Sequence, residues 1–170
     1  VAGVLMPITS LSSPYGIGTI GKEARKFADF LKASGQTIWQ ILRVGPTSYG
    51  DSPYQSFSTY AGNPYMIDLD TLVSKKLLIK AQLKKYDWGC DEGTIDYEKI
   101  YNSRFEVLRI AYNNFKETCD QKEFNSFKRK NANWIKDYAL YMAVKKSFDM
   151  QAWTQWPDED IKLRKESAVR

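Results

Sequence analysis

The fold of the first part of the chain is determined by three segments, which are GVLMPI at 3–8, KEARKFADFLKAS at 22–34 and TIWQIL at 37–42. The first and third segments are short, apolar and bounded by turn residues, as buried strands are. The middle segment places apolar residues at i, i+3, i+4 and i+7, and Gly35 follows where helices commonly stop. Strand, helix and strand in this order predict a right-handed parallel βαβ unit.

A long polar loop, here called the aromatic loop, follows the second predicted strand. It comprises residues 45–65, GPTSYGDSPYQSFSTYAGNPY, in which Asp51 carries the only charge and five residues are aromatic. Loops of this length are usually functional or disordered, and aromatic residues argue against disorder. The loop therefore either binds a ligand or is a packed structural loop whose tyrosines belong partly to the core.

An aromatic, polar loop at the carboxyl end of a parallel strand is suited to sugars. The apolar face of a pyranose stacks on an aromatic ring, and its hydroxyls hydrogen-bond to small polar side chains. The loop residues that meet these two needs are Tyr49, Asp51, Ser52, Tyr54, Gln55 and Asn63. Composition alone leaves both the sugar-binding and the structural interpretation open.

The rest of the chain has a helical pattern. From about residue 71, apolar residues recur at helical spacing, with acids before them and basic residues after them. A terminal helix is predicted behind Pro157, over about 158–165. One expected apolar stripe consists of Phe105, Leu108, Tyr112 and Phe115, and another of Trp134, Tyr138, Tyr141 and Phe148.

These patterns predict an α/β chain that is mostly α by content, with two parts, 1–70 and 71–170. Residues 1–70 carry the βαβ unit and the aromatic loop, and residues 71–170 form a helical subdomain. A parallel sheet is normally buried on both faces and has more than two strands. Either the helices cap a very small sheet, or the chain is the first portion of a larger α/β protein.

The residue types present exclude several kinds of site. The 170 residues include no histidine, so the chain cannot complete a Ser-His-Asp or Cys-His catalytic site or most catalytic zinc sites. Cys90 and Cys119 match neither a disulfide framework nor a zinc spacing and are interpreted as reduced thiols. The acids at 91–92 and 158–160 are typical of helix starts. We expect no metal and no cofactor.

Charge and hydropathy predict a cytosolic protein that binds neither nucleic acid nor membrane. The net charge of +5 comes from residues 71–170, where basic residues alternate with acids, as on solvated helix faces. The longest apolar runs are far shorter than the roughly 20 residues that span a bilayer. Val1 begins an apolar stretch without a basic segment or an initiator methionine, so we expect no signal peptide and a trimmed start.

Six motifs of the first 70 residues occur together in one enzyme family. They are PITSL at 7–11, SPYGIG at 13–18, WQIL at 39–42, GPT at 45–47, YGDSPYQSFS at 49–58 and AGNPYMIDL at 61–69. In this order they resemble the amino-terminal region of 4-α-glucanotransferases, the amylomaltase or disproportionating-enzyme family. More diffuse similarity at 95–97, 137–142 and 153–157 extends the resemblance over the whole chain.

The resemblance implies a (β/α)₈ barrel whose first two strands lie in residues 1–70, with 71–170 inserted after the second strand. It implies transfer of α-1,4-glucan segments between acceptors by a retaining double displacement. That reaction needs a carboxylate nucleophile and an acid/base about 5 Å apart. In the family these acids come from later barrel strands, so we expect no catalytic residue within this chain and no activity from the chain alone.

The resemblance also assigns substrate-binding residues, with maltooligosaccharides as the expected ligands. It places Tyr54 next to the sugar at the cleavage point and Ser52 nearby, with Asp51 of the same turn as a further candidate. Tyr49 and Tyr101 are similar to the aromatic pair of a second, surface groove. Two residues depart from the family pattern, since Arg43 stands where proline is common and Ser48 where glycine is usual.

Two other classes of function remain open at this point, a stand-alone glucan-binding module without catalysis and a helical interaction domain. A two-stranded parallel sheet would also leave an unpaired edge along residues 37–42, beside Ile38, Trp39 and Ile41. We therefore expect the chain to self-associate.

Overall fold

A computed structural model describes residues 1–47, 51–89, 91, 93–118 and 120–169. These residues are mostly helical and include two parallel strands. The chain forms two compact units, Val1–Gln121 and Lys122–Arg170, which are described separately. The first unit contains β1 (Gly3–Leu5), α1 (Lys22–Ala33), β2 (Ile38–Gln40), α2 (Leu69–Ser74), α3 (Lys80–Leu83) and α4 (Tyr97–Thr118). The second contains α5 (Lys122–Lys130), α6 (Ile135–Ser147) and α7 (Glu159–Lys162). Short 3₁₀ turns lie at Ile8–Ser10, Pro64–Met66 and Trp153–Gln155.

The predicted βαβ unit is present. β1 pairs in parallel with β2, with Gly3 opposite Ile38. The intervening helix ends as the sequence predicts, because Gly35 has a φ of +72° and provides the left-handed turn that commonly follows a helix. Both strands are shorter than predicted. Pro7 has no N–H with which to extend the ladder beyond Met6, and the chain turns at Ile8–Ser10 instead.

α1 packs on one side of the small sheet. The ring of Phe27 lies 5.0 Å from that of Trp39, centroid to centroid, and the Trp39 indole Nε1 donates to the Met6 carbonyl at 2.9 Å. Large apolar side chains of both strands are nevertheless half exposed, since Leu5 is 56% and Ile38 is 51% exposed. The two strands therefore leave apolar surface uncovered, as the sequence predicts for a sheet of this size.

The core of the first unit lies along α4. The buried residues of this helix are Ile100, Ser103, Arg104, Val107 and Ala111, and they face a cluster that includes Tyr15, Ile17, Tyr65, Leu69, Leu83 and Trp88. The predicted apolar stripe is thus wrong in part. Leu108 and Phe115 pack against this core, but Phe105 and Tyr112 are exposed. The core uses a neighbouring stripe, which contains an arginine and a serine and therefore has a weaker hydropathy signal.

Arg104 is the buried polar residue at the centre of that stripe. It is fully buried, its Nη2 donates to the Ile67 carbonyl, and its Nε donates to the Pro64 carbonyl at 3.4 Å. Burial lowers the pKa of the Arg104 guanidinium to about 10, so the group stays charged at neutral pH. Its Nη1 has no hydrogen-bond partner among the described residues. Arg104 joins α4 to the last residues of the aromatic loop and to the segment that leads into α2.

A second polar contact closes the other side of this core. The Tyr15 hydroxyl donates to Asp70 at 2.6 Å, and the Lys80 ammonium lies 2.5 Å from the same carboxylate oxygen. Partial burial opposes ionisation of Asp70, but the hydrogen bonds from Lys80 and Tyr15 hold the pKa of its carboxyl below the ordinary value. The cluster joins the segment after β1 to α2 and α3.

The second unit is built around an aromatic group formed by Tyr141 of α6, Phe148 directly after that helix, and Trp156, of which the first two belong to the predicted stripe. Tyr141 and Phe148 each lie 5.7 Å from the buried Trp156, centroid to centroid. The Lys145 ammonium donates to the carbonyls of Met150 and Gln151 and closes the carboxyl end of α6. α7 begins after Asp158, whose carboxylate accepts from two backbone N–H groups. The predicted terminal helix is present but is shorter than the expected 158–165, since it ends at Lys162.

No helix in the described part of the chain combines the length and the apolar character required to cross a bilayer. The predicted division of the chain at residue 70 concerns a complete barrel and stays a prediction. So do the expected absence of nucleic-acid binding and the cytosolic location.

Substitution of Arg104 by methionine tests its role in the fold. The side chain keeps a similar volume, but the Ile67 carbonyl loses the donor from Arg104 and the Pro64 carbonyl keeps only the Ile67 N–H. An acceptor left unsatisfied away from water costs about 1–3 kcal/mol. We expect the free energy of unfolding in urea to fall by that amount. The matched control is Arg109→Met on the same helix, where an exposed side chain should change it by less than about 0.5 kcal/mol. Equal effects of the two substitutions would contradict this role.

The exposed sheet predicts self-association of the chain. Unpaired strand edges beside half-exposed apolar side chains recruit further strands or copies. We expect light scattering to show a mass that rises with concentration, and Ile38→Thr with Ile41→Thr to reduce this rise. Ile79→Thr, at another exposed isoleucine, is the control. A strict monomer at high concentration with strong amide protection over 37–42 would show that the edge is sealed within one chain.

Candidate substrate-binding site

The aromatic loop is ordered where the structure describes it, and backbone contacts fix both of its ends. Thr47 and Ser56 form an antiparallel bridge across its first half. The Asn63 N–H donates to the Val44 carbonyl at 2.8 Å, so the end of the loop returns to the segment that follows β2. The loop therefore closes on itself at the carboxyl end of the second strand.

Many polar side chains of the loop are used within the loop. The Ser56 hydroxyl donates to the Ser58 carbonyl at 2.8 Å, and the Ser58 hydroxyl oxygen accepts from the N–H groups of Tyr60 and Ala61. Asn63 is buried, and its Oδ1 accepts from the Tyr65 N–H at 2.9 Å. These contacts give Ser56, Ser58 and Asn63 a structural role, and of these three Asn63 was also a candidate for sugar binding.

Three predicted site residues lie together in one turn. The Ser52 hydroxyl oxygen accepts from the Tyr54 N–H at 3.3 Å, and the Ser52 carbonyl accepts from Gln55 N–H at 3.1 Å. This turn places the Tyr54 ring in solvent, with 64% of the residue exposed. Asp51 precedes it with a φ of +51°, a conformation that aspartate tolerates better than most residues, and accepts a hydrogen bond from Thr47 Oγ1 at 3.0 Å.

A small cavity of about 30 Å³ lies where the segments after β1 and β2 meet the loop. Asp51 and Arg43 line it together with residues of the Pro64–Met66 turn and the start of α4. The full lining is Pro7, Ile8, Thr9, Leu42, Arg43, Thr47, Asp51, Pro53, Asn63, Tyr65, Met66 and Tyr97. Ligands of parallel α/β folds bind at this end of the strands, so the position suits a substrate-contacting surface.

Two tyrosines form the wall between the loop and α4. The rings of Tyr65 and Tyr97 lie 6.2 Å apart, centroid to centroid. Burial, followed by the negative charge of Asp51, raises the pKa of both phenols above the ordinary value. Both hydroxyls therefore stay protonated at neutral pH and can act as hydrogen-bond donors, but they are not bases.

The two predicted aromatic contacts have different neighbours. Tyr54 lies beside Arg43, whose Cζ is 6.0 Å from the centre of the tyrosine ring. Tyr101 lies on α4, 43% exposed, with its ring 5.0 Å from that of Phe105. Tyr49, the expected partner of Tyr101, and Ser48 lie outside the described residues. The assignment of Ser52, Asp51, Tyr54, Tyr49 and Tyr101 to substrate binding stays a prediction.

Sequence reasoning missed several residues that build this site. Arg104 has a signal in the sequence, because Ile100, Arg104, Val107 and Ala111 follow one another at spacings of four, three and four residues. An arginine in such a series is a candidate for a buried, hydrogen-bonded group. The approach of Arg43 to Tyr54 has no comparable signal, since it depends on how the loop folds back.

The described residues at the cavity do not form a glycoside-cleaving pair. Asp51 is the one carboxylate among the described residues that line it, whereas retaining chemistry uses two carboxyl groups about 5 Å apart. Among the described residues, no group of three acidic, cysteine or histidine side chains is placed to hold a metal ion. The arrangement offers an exposed aromatic ring, hydroxyls and a guanidinium, which can bind a polyhydroxylated ligand but supply no nucleophile.

Comparison with known proteins shows which family this chain is similar to. Residues 6–170 match the model of a family described as 4-alpha-glucanotransferase, glycoside hydrolase family 77. The chain is 50% identical over 168 residues to the 4-alpha-glucanotransferase of Streptococcus pneumoniae, covering 99% of this chain and 33% of that protein. It is 43% identical over 171 residues to the enzyme of the same name from Thermus thermophilus, again covering 99% of this chain and 33% of the relative.

A solved structure has the same fold over this region. The amylomaltase from Streptococcus agalactiae in complex with acarbose superposes with a TM-score of 0.94 at 40% identity, covering 99% of this chain and 34% of that protein. The chain thus spans about a third of the length of the relatives it matches. The family model matches nearly all of its residues. The chain belongs to the 4-alpha-glucanotransferase family.

Proposed function

We propose that a complete protein containing this chain transfers α-1,4-glucan segments between acceptors. The observation that carries this proposal is the 50% identity, over 99% of the chain, to a relative named 4-alpha-glucanotransferase. The proposed reaction is a retaining double displacement, and the nucleophile and the acid/base lie outside these 170 residues. The ligands of this chain are then maltooligosaccharides. The acarbose complex of the streptococcal amylomaltase supports this class of ligand.

In this proposal the aromatic loop supplies part of the substrate cleft. The Tyr54 ring is exposed and available for stacking on a glucose unit, and the turn at Ser52 and Asp51 places hydroxyl and carboxylate groups beside it. Tyr101 contributes, with Tyr49, to a second glucan-binding groove. The separate surroundings of Tyr54 and Tyr101 support two different sites.

We further propose that β1 and β2 are the first two strands of a (β/α)₈ barrel, with 71–170 inserted after the second. Parallel pairing, a connecting helix on one side and uncovered apolar side chains at Leu5 and Ile38 support this arrangement. The proposed location is the cytosol.

The proposed activity is tested with maltotriose and the complete protein. Transfer produces both shorter and longer maltooligosaccharides, whereas hydrolysis produces only shorter ones, and chromatography separates the two outcomes. Glucan binding without transfer would favour the alternative of a glucan-binding module. Neither binding nor transfer would favour a helical interaction domain.

For the chain alone we expect no transfer of glucose units from maltotriose. Asp51 is the one carboxylate among the described cavity residues, and one carboxylate cannot complete a double displacement. The measurement is glucose release and oligosaccharide growth, compared with a buffer blank. Product above the blank, from protein free of contaminating enzyme, would show that the chain itself contains a catalytic pair.

In the complete protein, Tyr54→Ala should lower turnover much more than Tyr101→Ala. Stacking of an aromatic ring on a base is worth about 1–3 kcal/mol, and a similar loss is expected for a sugar. Only at the reacting sugar does part of that loss appear in the transition state. The measurement is kcat and KM with maltotriose for the two variants. Equal reductions of kcat would contradict the assignment of the two rings to different sites.

A further inference from the structure

Arg43 is an exposed cation at the mouth of the small cavity. It follows β2, and its Cζ lies 6.0 Å from the centre of the Tyr54 ring. It also lines the cavity together with Asp51 and Thr47. Among the described residues, no hydrogen bond or ion pair involves its guanidinium. Within the described part of the chain, the Arg43 guanidinium therefore interacts with the Tyr54 ring.

A guanidinium at this position can act in two ways at once. A cation within about 6 Å of the centre of a tyrosine ring is attracted to the ring face. The guanidinium also carries five N–H donors in a planar fork and no acceptor. Sugar hydroxyls accept hydrogen bonds, so a glucose unit that contacts Tyr54 would find these donors beside the same ring.

We propose that Arg43 is a further substrate-binding residue, which holds the exposed Tyr54 ring in place and donates hydrogen bonds to hydroxyls of the glucose unit beside it. This inference rests on the proposed glucan-binding function of the loop. It deepens that function by naming the group that would donate hydrogen bonds to the sugar beside the Tyr54 ring.

The neighbouring loop contacts explain why this pair is suited to the task. Ser56, Ser58 and Asn63 already form hydrogen bonds within the loop. The turn around Ser52 fixes the backbone of Tyr54 but leaves its ring in solvent. An exposed ring without a neighbour would lose side-chain freedom on binding, and a cation on its face reduces that loss. Arg43 therefore affects binding both directly and through Tyr54.

The experiment is a double-substitution cycle on the 170-residue chain, with maltotriose as the probe. Dissociation constants are measured by NMR titration for the unaltered chain, Arg43→Ala, Tyr54→Ala and the double variant. We expect Arg43→Ala to weaken binding about twofold to fivefold, which is the range of an exposed cation–π contact, and more where the sugar hydrogen bonds are also lost. In the Tyr54→Ala background the same substitution should have a smaller effect, because the two residues act on one glucose unit.

Two further variants separate this role from a general effect on the loop. Arg43→Lys keeps the positive charge but not the planar fork and should recover only part of the affinity. Arg25→Ala, at an exposed arginine of α1, should leave the dissociation constant unchanged. The pairing also has a readout without sugar. The Arg43 side-chain protons should show an upfield ring-current shift that disappears in Tyr54→Leu.

Each result bears on the proposal. Coupled effects, partial recovery by lysine and the ring-current shift support it. Additive effects of Arg43→Ala and Tyr54→Ala, or no weakening by Arg43→Ala, would overturn it and leave the proposed function of the loop intact. Absence of the ring-current shift would overturn the pairing of Arg43 with Tyr54, independently of the result of the maltotriose titration. Failure of the unaltered chain to bind maltotriose would overturn both the glucan-binding role of the loop and that of Arg43.

Discussion

The hydrogen bonds from Arg104 to the carbonyls of Pro64 and Ile67 join α4 to the end of the aromatic loop. A charged group without access to water requires hydrogen-bond partners, so α4 can be buried at this point only if the loop end lies against it. Two neighbouring side chains fix the same segment. Asn63 caps the Pro64–Met66 turn, and Asp68 accepts from Thr71 N–H at the start of α2. The path of the chain from the loop into the helices is thereby determined at three successive points.

This fixed segment forms the base of the site. Tyr65 is buried between the loop and α4, with Asp51 close enough to affect the pKa of its phenol. The turn at residues 51–54 thus lies near this wall, although the described residues of the loop before the Pro64–Met66 turn contain no helix and only a single bridge. Hydrogen bonds of Ser56 and Ser58 replace regular secondary structure here. Asn63, which was also a candidate for sugar binding, is likewise used within the fold, since its Oδ1 accepts from the Tyr65 N–H.

The features that the sequence predicts well are those that local patterns determine. The limits of α1 agree within a residue, because its apolar spacing and Gly35 are both local signals. The strand lengths and the buried face of α4 were predicted less well. Pro7 ends the ladder early, and Arg104 occupies a core position whose need for carbonyl partners only the tertiary structure reveals. Family motifs selected the turn at Ser52, but the contact between Arg43 and Tyr54 joins residues 11 positions apart, and no periodicity reports it.

The uncovered sheet sets the remaining constraint on how this chain can work. Burying an isoleucine or leucine side chain stabilises a fold by roughly 1.5–3 kcal/mol, and Leu5 and Ile38 obtain only about half of that here. The small cavity lies where the segments after these two strands meet the loop, so groups that cover the sheet would also approach the open side of the site. The relatives have about three times the length of this chain, enough to supply such groups. If the proposed function is correct, ring stacking and polar contacts from the loop would orient the sugar from one side, and the reacting carboxylates would have to approach from the other. Binding and bond cleavage would then be carried by different parts of the sequence.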